Sequence, residues 1–504
     1  MGSRRTIYNI FSSLILQFVV LLSGLIVPRL IINEFGSNVN GLISSITQFL
    51  SYIVLLELGI GPVVKAALYK PIANKDKQEI KNILKSAERF FRIIAGIFII
   101  YLIGLAFVYP LLVKNEFSYV YTLSLVLIIS ISTFFEYYFG MTYTLYLHAE
   151  QRKYVTSNIQ ILGYILNVIV VVILINLNTS IHLVKLVSSL IFLCRPIIQN
   201  IYVKKKYNIS LNDASNDYKL EKKWHGLAQH VAAIVHSSTD MIILTVLSTL
   251  SEVSVYSVYH LVEKGVKSFV SSFTSGIDAM FGNLIAKDMK KELNKSFDLY
   301  EFIYLMLISV IYICSIILIV PFVKVYTLGI SDANYIRPLF GFLIILAGFI
   351  SAIRLPYSSI TLAAGHFKET QKGAWIEVIV NICLSIILVI RYGIVGVTVG
   401  TLISVFIRTI EFIYHSNKYI LERNAWFTIK KVLLIILEFI LVFVVIKLLP
   451  VFNIENYYDW LYYALTIFGI SFIIVIGINY LFYKEQFKKI IYLLIRKLKG
   501  KGEK

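Results

Sequence analysis

Apolar runs of about 18–27 residues recur along almost the whole chain. They lie near 7–32, 41–63, 90–113, 118–147, 155–175, 182–203, 225–249, 253–282, 298–323, 335–363, 373–390, 394–415, 429–449 and 458–482. As a helix rising about 1.5 Å per residue, each run is long enough to cross a bilayer core of roughly 30 Å. Lipid offers the backbone no hydrogen-bond partner, so such runs fold as helices that bond within themselves. With 58% hydrophobic and 15% charged residues, water-soluble domains of this chain would leave too much apolar surface bare. The expectation is an all-α integral membrane protein of about fourteen transmembrane helices.

The formal net charge of +19 would suit a nucleic-acid binder, but the positions of the charges argue otherwise. With the N-terminus placed in the cytoplasm, the inner segments hold about 36 of the 48 lysines and arginines. These include Lys70, Lys75, Lys77, Lys81 and Lys85, then Lys204, Lys205 and Lys206, then Lys287, Lys290, Lys291 and Lys295. The outer segments hold about six: Arg29, Lys114, Lys324, Arg337, Arg391 and Lys447. The asymmetry predicts both termini inside, with basic loops facing an anionic leaflet and no role in nucleic-acid binding. Arg4 and Arg5 lead into a span too long for the core of a signal peptide, so none is expected. Cys194, Cys314 and Cys383 lie within apolar runs and read as buried, inert thiols. Past residue 483, Phe487, Ile490, Ile491, Leu494 and Leu498 share a helical face among lysines, a pattern for a helix lying on the membrane surface.

The chain matches itself at an offset of about 213 residues. Ala73 and Glu79 fall opposite Ala286 and Glu292, Arg195 opposite Arg408, and Lys206-Tyr207 opposite Lys418-Tyr419. The 18-residue interval from Ala149 to Asn167 returns from Ala363 to Asn381. Two pseudo-symmetric six-helix lobes follow, 1–206 and 225–419, joined by a cytoplasmic linker at 207–224. Two further helices occupy 420–482, and a basic amphipathic tail runs over 483–504. Six helices per repeat preserve orientation, the plan of transporters whose two bundles rock about a midplane site.

Four stretches stand out: Arg29-x6-Gly36-x4-Gly41, the run Leu55 to Gly61, Asp240-Met-Ile-Ile-Leu, and Asn381 followed by Tyr392-Gly393-Ile394-Val395-Gly396. In their order along a fourteen-helix chain they resemble the Wzx-like oligosaccharide flippases, polysaccharide transporters of the multidrug/oligosaccharidyl-lipid/polysaccharide (MOP) superfamily. The resemblance implies a non-enzymatic flippase in the bacterial inner membrane. It would move a polyprenyl-pyrophosphate-linked oligosaccharide from the inner to the outer leaflet for capsule, exopolysaccharide or wall-polymer assembly. No cofactor is implied beyond a possible coupling H+ or Na+, and other polysaccharide-assembly proteins are possible partners.

A cavity passing a pyrophosphate needs cations to replace its hydration. His260, Lys264, Lys267, Ser271, Thr274 and Asp278 recur at spacings of four and three, which places them on one helical face. Lys264 and Lys267 lie about 17–21 Å from the outer boundary, near the midplane, where an unpaired charge facing lipid is costly. Either this face lines a wet cavity, or Glu263, Asp240 or Asp278 pairs with the lysines to lock helices together. Gln229, His236 and Asp240 share a face of the preceding helix, where a His–Asp pair four residues apart reads as a proton or ion relay, or as a packing contact. In the first lobe the corresponding face includes Gln17, Arg29, Glu57 and Lys65; Arg29 also reads as an interfacial anchor. Lys65 falls opposite Asp278 in the repeat. Arg354 and Glu136 are deep secondary candidates, while Arg195 and Arg408 read as structural.

The chain has no phosphate-binding G-x-x-x-x-G-K-[ST] loop, no H-E-x-x-H metal motif and no G-x-S-x-G elbow. A cation-coupled multidrug antiporter of the same superfamily is the second reading, and it predicts a cavity dominated by carboxylates. A polytopic polysaccharide polymerase is the third, disfavoured by short outer loops and the two-lobe repeat.

Overall fold

The computed structural model describes residues 2–57, 60–207, 209, 227–274, 277–450 and 452–488. Side chains at 2–4, 227–228, 236–237 and 278–279 are not among those described. The expected linker and the tail beyond residue 488 therefore fall largely outside the described residues.

The described residues form sixteen α-helices and no strand. They are α1 Gly2–Phe35, α2 Ser37–Ser51, α3 Ile60–Asn74, α4 Lys77–Leu112, α5 Tyr119–Phe135, α6 Met141–Ala149, α7 Lys153–Asn176 and α8 Ile181–Tyr207. There follow α9 Leu227–Leu247, α10 Leu250–Ser272, α11 Ile277–Ala286, α12 Lys290–Tyr326, α13 Pro338–Ala363, α14 Gln371–Tyr419, α15 Trp426–Lys447 and α16 Tyr457–Phe482. Among the described residues, ten helices are long and apolar enough to cross a membrane, or eleven if the bent α9 is one span. Charge accounts for two helices outside that set. α10 carries Glu252, His260, Glu263, Lys264 and Lys267, and α15 carries Lys430, Lys431, Glu438 and Lys447. α14 is two arms meeting at Gly393, whose φ of 53° and ψ of −132° break the helix between the apolar runs 373–390 and 394–415.

Two compact units are present, Met1–Ser257 with Gly329–Ala333, and Val258–Leu328 with Asn334–Lys504. The division falls within α10, because α9 packs on α2 of the first unit. In the first unit α1 lies on α7, and α5 and α7 both lie on α8. Leu42, Ile46 and Leu50 of α2 belong to one buried apolar cluster that also holds Ile83, Leu84, Phe91 and Phe98 of α4. On its other side, Val39 and Ile43 of α2 pack with Ile31, Val171, Ile175 and Val184.

In the second unit α13 lies along α14, and α12 packs against α13, α15 and α16. Glu301 of α12, fully buried, accepts from Arg423 Nη2 at 2.8 Å and Thr428 Oγ1 at 3.1 Å, and also from Lys431 and Tyr357. One carboxylate thus joins α12, α13 and α15. A second buried carboxylate, Glu438 of α15, accepts from Ser309 of α12 and Asn479 of α16.

The outer surface is apolar: Ile100 is 72% exposed and Ile390 76%. A water-facing surface of this kind would be unstable, whereas a lipid-facing one is expected. The same geometry corrects the expectation for the cysteines. Cys194 and Cys383 are exposed rather than buried, because apolar residues of a spanning helix face lipid as readily as protein, and Cys314 is half-buried.

Candidate functional site

In the first unit two helices lose α-geometry side by side. The chain leaving α2 tightens into a 3-10 segment, Tyr52–Glu57, and between α5 and α6 it widens into a π turn, Glu136–Gly140. Such interruptions release backbone groups that need other partners. The Gly140 carbonyl receives Thr144 Oγ1 at 3.0 Å and Gln199 Nε2 of α8 at 3.3 Å. At the meeting point Tyr137 donates to Glu57 Oε1 at 2.6 Å. Glu57 is half-buried, as are Arg29 on α1 and Lys65 on α3. Glu136 occupies the first position of the π turn. Arg195 lies over the rings of Tyr164 and Phe192, with its Cδ 2.8 Å from where a Cβ on Gly163 would stand.

Asp240 on α9 is 4% exposed and accepts from Tyr256 of α10 at 2.9 Å. Gln229 is half-exposed, and the side chain of His236 lies outside those described, so the expected His236–Asp240 pairing is outside the described residues.

α10 runs unbroken through Ser272, so the spacing of His260, Lys264 and Lys267 does place them along one side of a helix. His260 Nδ1 is 3.7 Å from Glu263 Oε2. Glu263 turns inward, with its Oε1 3.0 Å from where a Cβ on Gly348 of α13 would stand. Lys264 is exposed and Lys267 half-exposed. Among the described residues neither lysine has a carboxylate within 4.0 Å, and Glu263, which touches the His260 ring, is attracted by both lysine charges from farther away. The Asp278 side chain lies outside the described residues.

Arg354 is placed differently. Its Nη1 donates to Glu377 Oε1 at 2.8 Å, and Glu377 Oε2 lies 3.5 Å from Nε of Arg408. Arg408, 1% exposed, also pairs with Glu411 and donates to the Thr370 carbonyl at 2.9 Å. Arg354 and Arg408 therefore share one buried charge network. Neither Glu377 nor Tyr256 stands out in the sequence, although Glu377 is the lone acid in its apolar run, which is itself a signal.

These elements define an all-helical, multi-pass membrane protein fold. The chain is similar to the lipid II flippase MurJ in an inward closed conformation, with TM-score 0.68 and 17% identity over 94% of this chain and 99% of that one. It is similar to an inward-facing multidrug resistance MATE transporter of the MOP superfamily, with TM-score 0.54 and 15% identity over 82% and 94% of the two chains. A MOP superfamily transporter from Pyrococcus furiosus, described as having a binding pocket of reversed polarity, matches with TM-score 0.54 and 13% identity over 83% and 96%. No family model matches the chain. No curated protein matches it either.

Proposed function

We propose that this protein is a flippase that carries polyprenyl-pyrophosphate-linked oligosaccharide repeat units from the inner to the outer leaflet of a bacterial cytoplasmic membrane. The observation that carries this reading is the state of Lys264 and Lys267. Charges elsewhere in the spans are largely paired, as in Arg354–Glu377–Arg408 and in Glu301 with Lys431 and Arg423. Lys264 is exposed, and no carboxylate among the described residues lies within 4.0 Å of its ammonium, although Glu263 on the same helix is near enough to attract it. An ammonium at mid-span is tolerable where it meets water or an anion. A pyrophosphate is such an anion, and it is the group common to lipid-linked oligosaccharides. The likeness to a lipid II flippase over nearly the whole chain supports a lipid-linked substrate.

In this reading about fourteen spans place both termini in the cytoplasm, in the two-lobe arrangement of 1–206 and 225–419 with helices over 420–482 appended. His260 would contribute a polar contact to the head group, and Gln229, Arg29, Glu57 and Lys65 are the cavity residues we propose in the first unit. Asp240, buried against Tyr256, suits the binding of a coupling H+ or Na+. The buried Asp240, with the likeness to MATE transporters, also favours a second reading, a cation-coupled antiporter.

Ligand-dependent thermal stabilisation of the purified protein separates the two. A polyprenyl-pyrophosphate oligosaccharide should stabilise the wild type and fail to stabilise the Lys264→Ala/Lys267→Ala variant. Stabilisation by organic cations with no response to the lipid would favour the antiporter.

A further inference from the structure

In the first unit the turn 150–152, between α6 and α7, meets the last turn of α8 on the lysine-rich side. Asn9 of α1 holds this turn: its Nδ2 donates to the Gln151 carbonyl at 2.9 Å, and its Oδ1 accepts from the Tyr154 N–H at 2.8 Å. The Arg152 N–H donates to the Leu147 carbonyl at 2.8 Å. Arg152 thus enters α7 from a fixed position, with its guanidinium 5.4 Å from the centroid of the Tyr207 ring. Tyr207 in turn packs edge-on against Tyr146 of α6, ring centroids 5.2 Å apart. Beside them Lys206 Nζ donates to Tyr202 Oη at 2.8 Å, and Arg152 also bonds to Tyr202.

Two donors in this corner are buried and unmatched. Arg152 Nε and Tyr207 Oη have no hydrogen-bond partner among the described residues. A buried donor in that state keeps the whole cost of its lost hydration until an acceptor reaches it. Glu150 Oε1 lies 3.9 Å from Arg152 Nε and 3.5 Å from Arg5 Nη1, so one carboxylate is shared by two guanidinium groups. Lys206 has no carboxylate within 4.0 Å among the described residues. The corner therefore carries excess positive charge, and it stands at the N-terminus of α7, the end of a helix that favours anions. A residue serving only as an interfacial anchor turns its polar end to water. These two atoms are turned away from it.

The repeat supplies an internal contrast. Lys206-Tyr207 corresponds to Lys418-Tyr419, and the interval that matches Ala149 to Ala363 matches Arg152 to His366. In the second unit Lys418 again donates to the tyrosine four residues before it, Tyr414, at 2.6 Å. There His366 Nδ1 shares a hydrogen bond of 2.9 Å with His415 Nε2, and His415 lies against Tyr419 with ring centroids 4.9 Å apart. The second corner is closed by its own partners. The first keeps the lysine and tyrosines but lacks an acceptor for its donors.

We propose that Arg152, Tyr202, Lys206 and Tyr207 form a binding site for the phosphodiester headgroup of an anionic membrane lipid. Arg152 Nε and Tyr207 Oη donate to the phosphate oxygens, and the exposed Lys206 at the rim adds charge. Ile198, four residues before Tyr202 on the same side of α8, is 51% exposed and offers apolar surface to the acyl chains. Free phosphate carries the same oxygens, but it has no use for that flank. The site requires a chain that spans a membrane and is independent of what the chain transports.

The test titrates the full-length protein in neutral detergent with phosphatidylglycerol or phosphatidylcholine, and native mass spectrometry reads the bound lipid. Phosphatidylglycerol should bind about tenfold more tightly than phosphatidylcholine, and Arg152→Gln/Lys206→Gln should lose about that factor. Lys418→Gln and Lys264→Ala/Lys267→Ala should keep wild-type binding. Tyr207→Phe gives the sharpest contrast, because it deletes only a hydroxyl that has no partner. Without lipid its melting temperature should not fall; with phosphatidylglycerol it should gain less than half the stabilisation of the wild type. Equal binding of the two lipids, unchanged binding by Arg152→Gln/Lys206→Gln, or full stabilisation of Tyr207→Phe would each overturn the site. Stabilisation by inorganic phosphate that phosphatidylglycerol does not reproduce would overturn the lipid assignment. A protein that binds phosphatidylglycerol in this way but moves no lipid-linked oligosaccharide would contradict the flippase reading and leave the headgroup site standing.

Discussion

Tyr137 donates a 2.6 Å hydrogen bond to Glu57, tying together the two points in the first unit where helices depart from α-geometry. The 3-10 turn carries the carboxylate and the π turn carries the phenol, so each irregularity positions the partner of the other. A polar pair held this way has a fixed orientation toward whatever occupies the space beside it.

Removing the phenol tests that arrangement. Tyr137→Phe leaves a half-buried carboxylate without its short donor, a loss of about 1–3 kcal/mol. Thermal unfolding in detergent should show the destabilisation, while Tyr138→Phe, on the next residue, should change little. Equal effects from both substitutions would show that Glu57 does not depend on Tyr137.

Glu377 is the acid on which Arg354 and Arg408 converge. Glu377→Ala leaves two guanidinium groups, one of them 1% exposed, without that charge, a cost of about 3–5 kcal/mol. Poor yield and a large fall in thermal stability are expected, measured by size-exclusion chromatography after heating. Combining Glu377→Gln with Arg354→Met should recover part of the loss, since the pair is then removed together. If Glu377→Ala is as stable as the wild type, Arg354 is not held by this network and returns as a cavity residue.

Glu301 joins α15 to α12 through Lys431, Arg423 and Thr428. Glu301→Ala should strand both cations, destabilise by about 3–5 kcal/mol and loosen the end of α15 near Trp426. Hydrogen exchange should rise in α15 more than in α7, which has no part in the cluster. Uniform exchange across both helices would argue against a local joint at Glu301.

The extent of the long helices was readable because hydropathy averages over a span. The run at 118–147 meets the segment Tyr119–Ala149, and that at 335–363 meets α13 at Pro338–Ala363. The same averaging hides interruptions. The run at 41–63 gave no sign of the 3-10 turn at Tyr52–Glu57, and that at 253–282 none of the end of α10 at Ser272. A single turn of i→i+3 or i→i+5 bonding is too short to alter the hydropathy averaged over a span. Helical spacing did place His260, Lys264 and Lys267 along one side of α10, since α10 is regular there. The fate of Arg354 was not readable, because Glu377 lies on another helix and only tertiary packing brings the two together.

The central claim is that Lys264 and Lys267 receive a lipid-linked pyrophosphate in transit, and leaflet access in proteoliposomes tests it most directly. Labelled polyprenyl-pyrophosphate oligosaccharide is incorporated in both leaflets, and a sugar-modifying enzyme that cannot cross the bilayer is added outside. The account predicts that the inner pool becomes accessible with the wild-type protein, with or without an imposed H+ or Na+ gradient as coupling requires. With Lys264→Ala/Lys267→Ala, correctly inserted, the inner pool should stay protected. An inner pool that the wild type never exposes under any gradient, or that the double variant exposes at the wild-type rate, would contradict it.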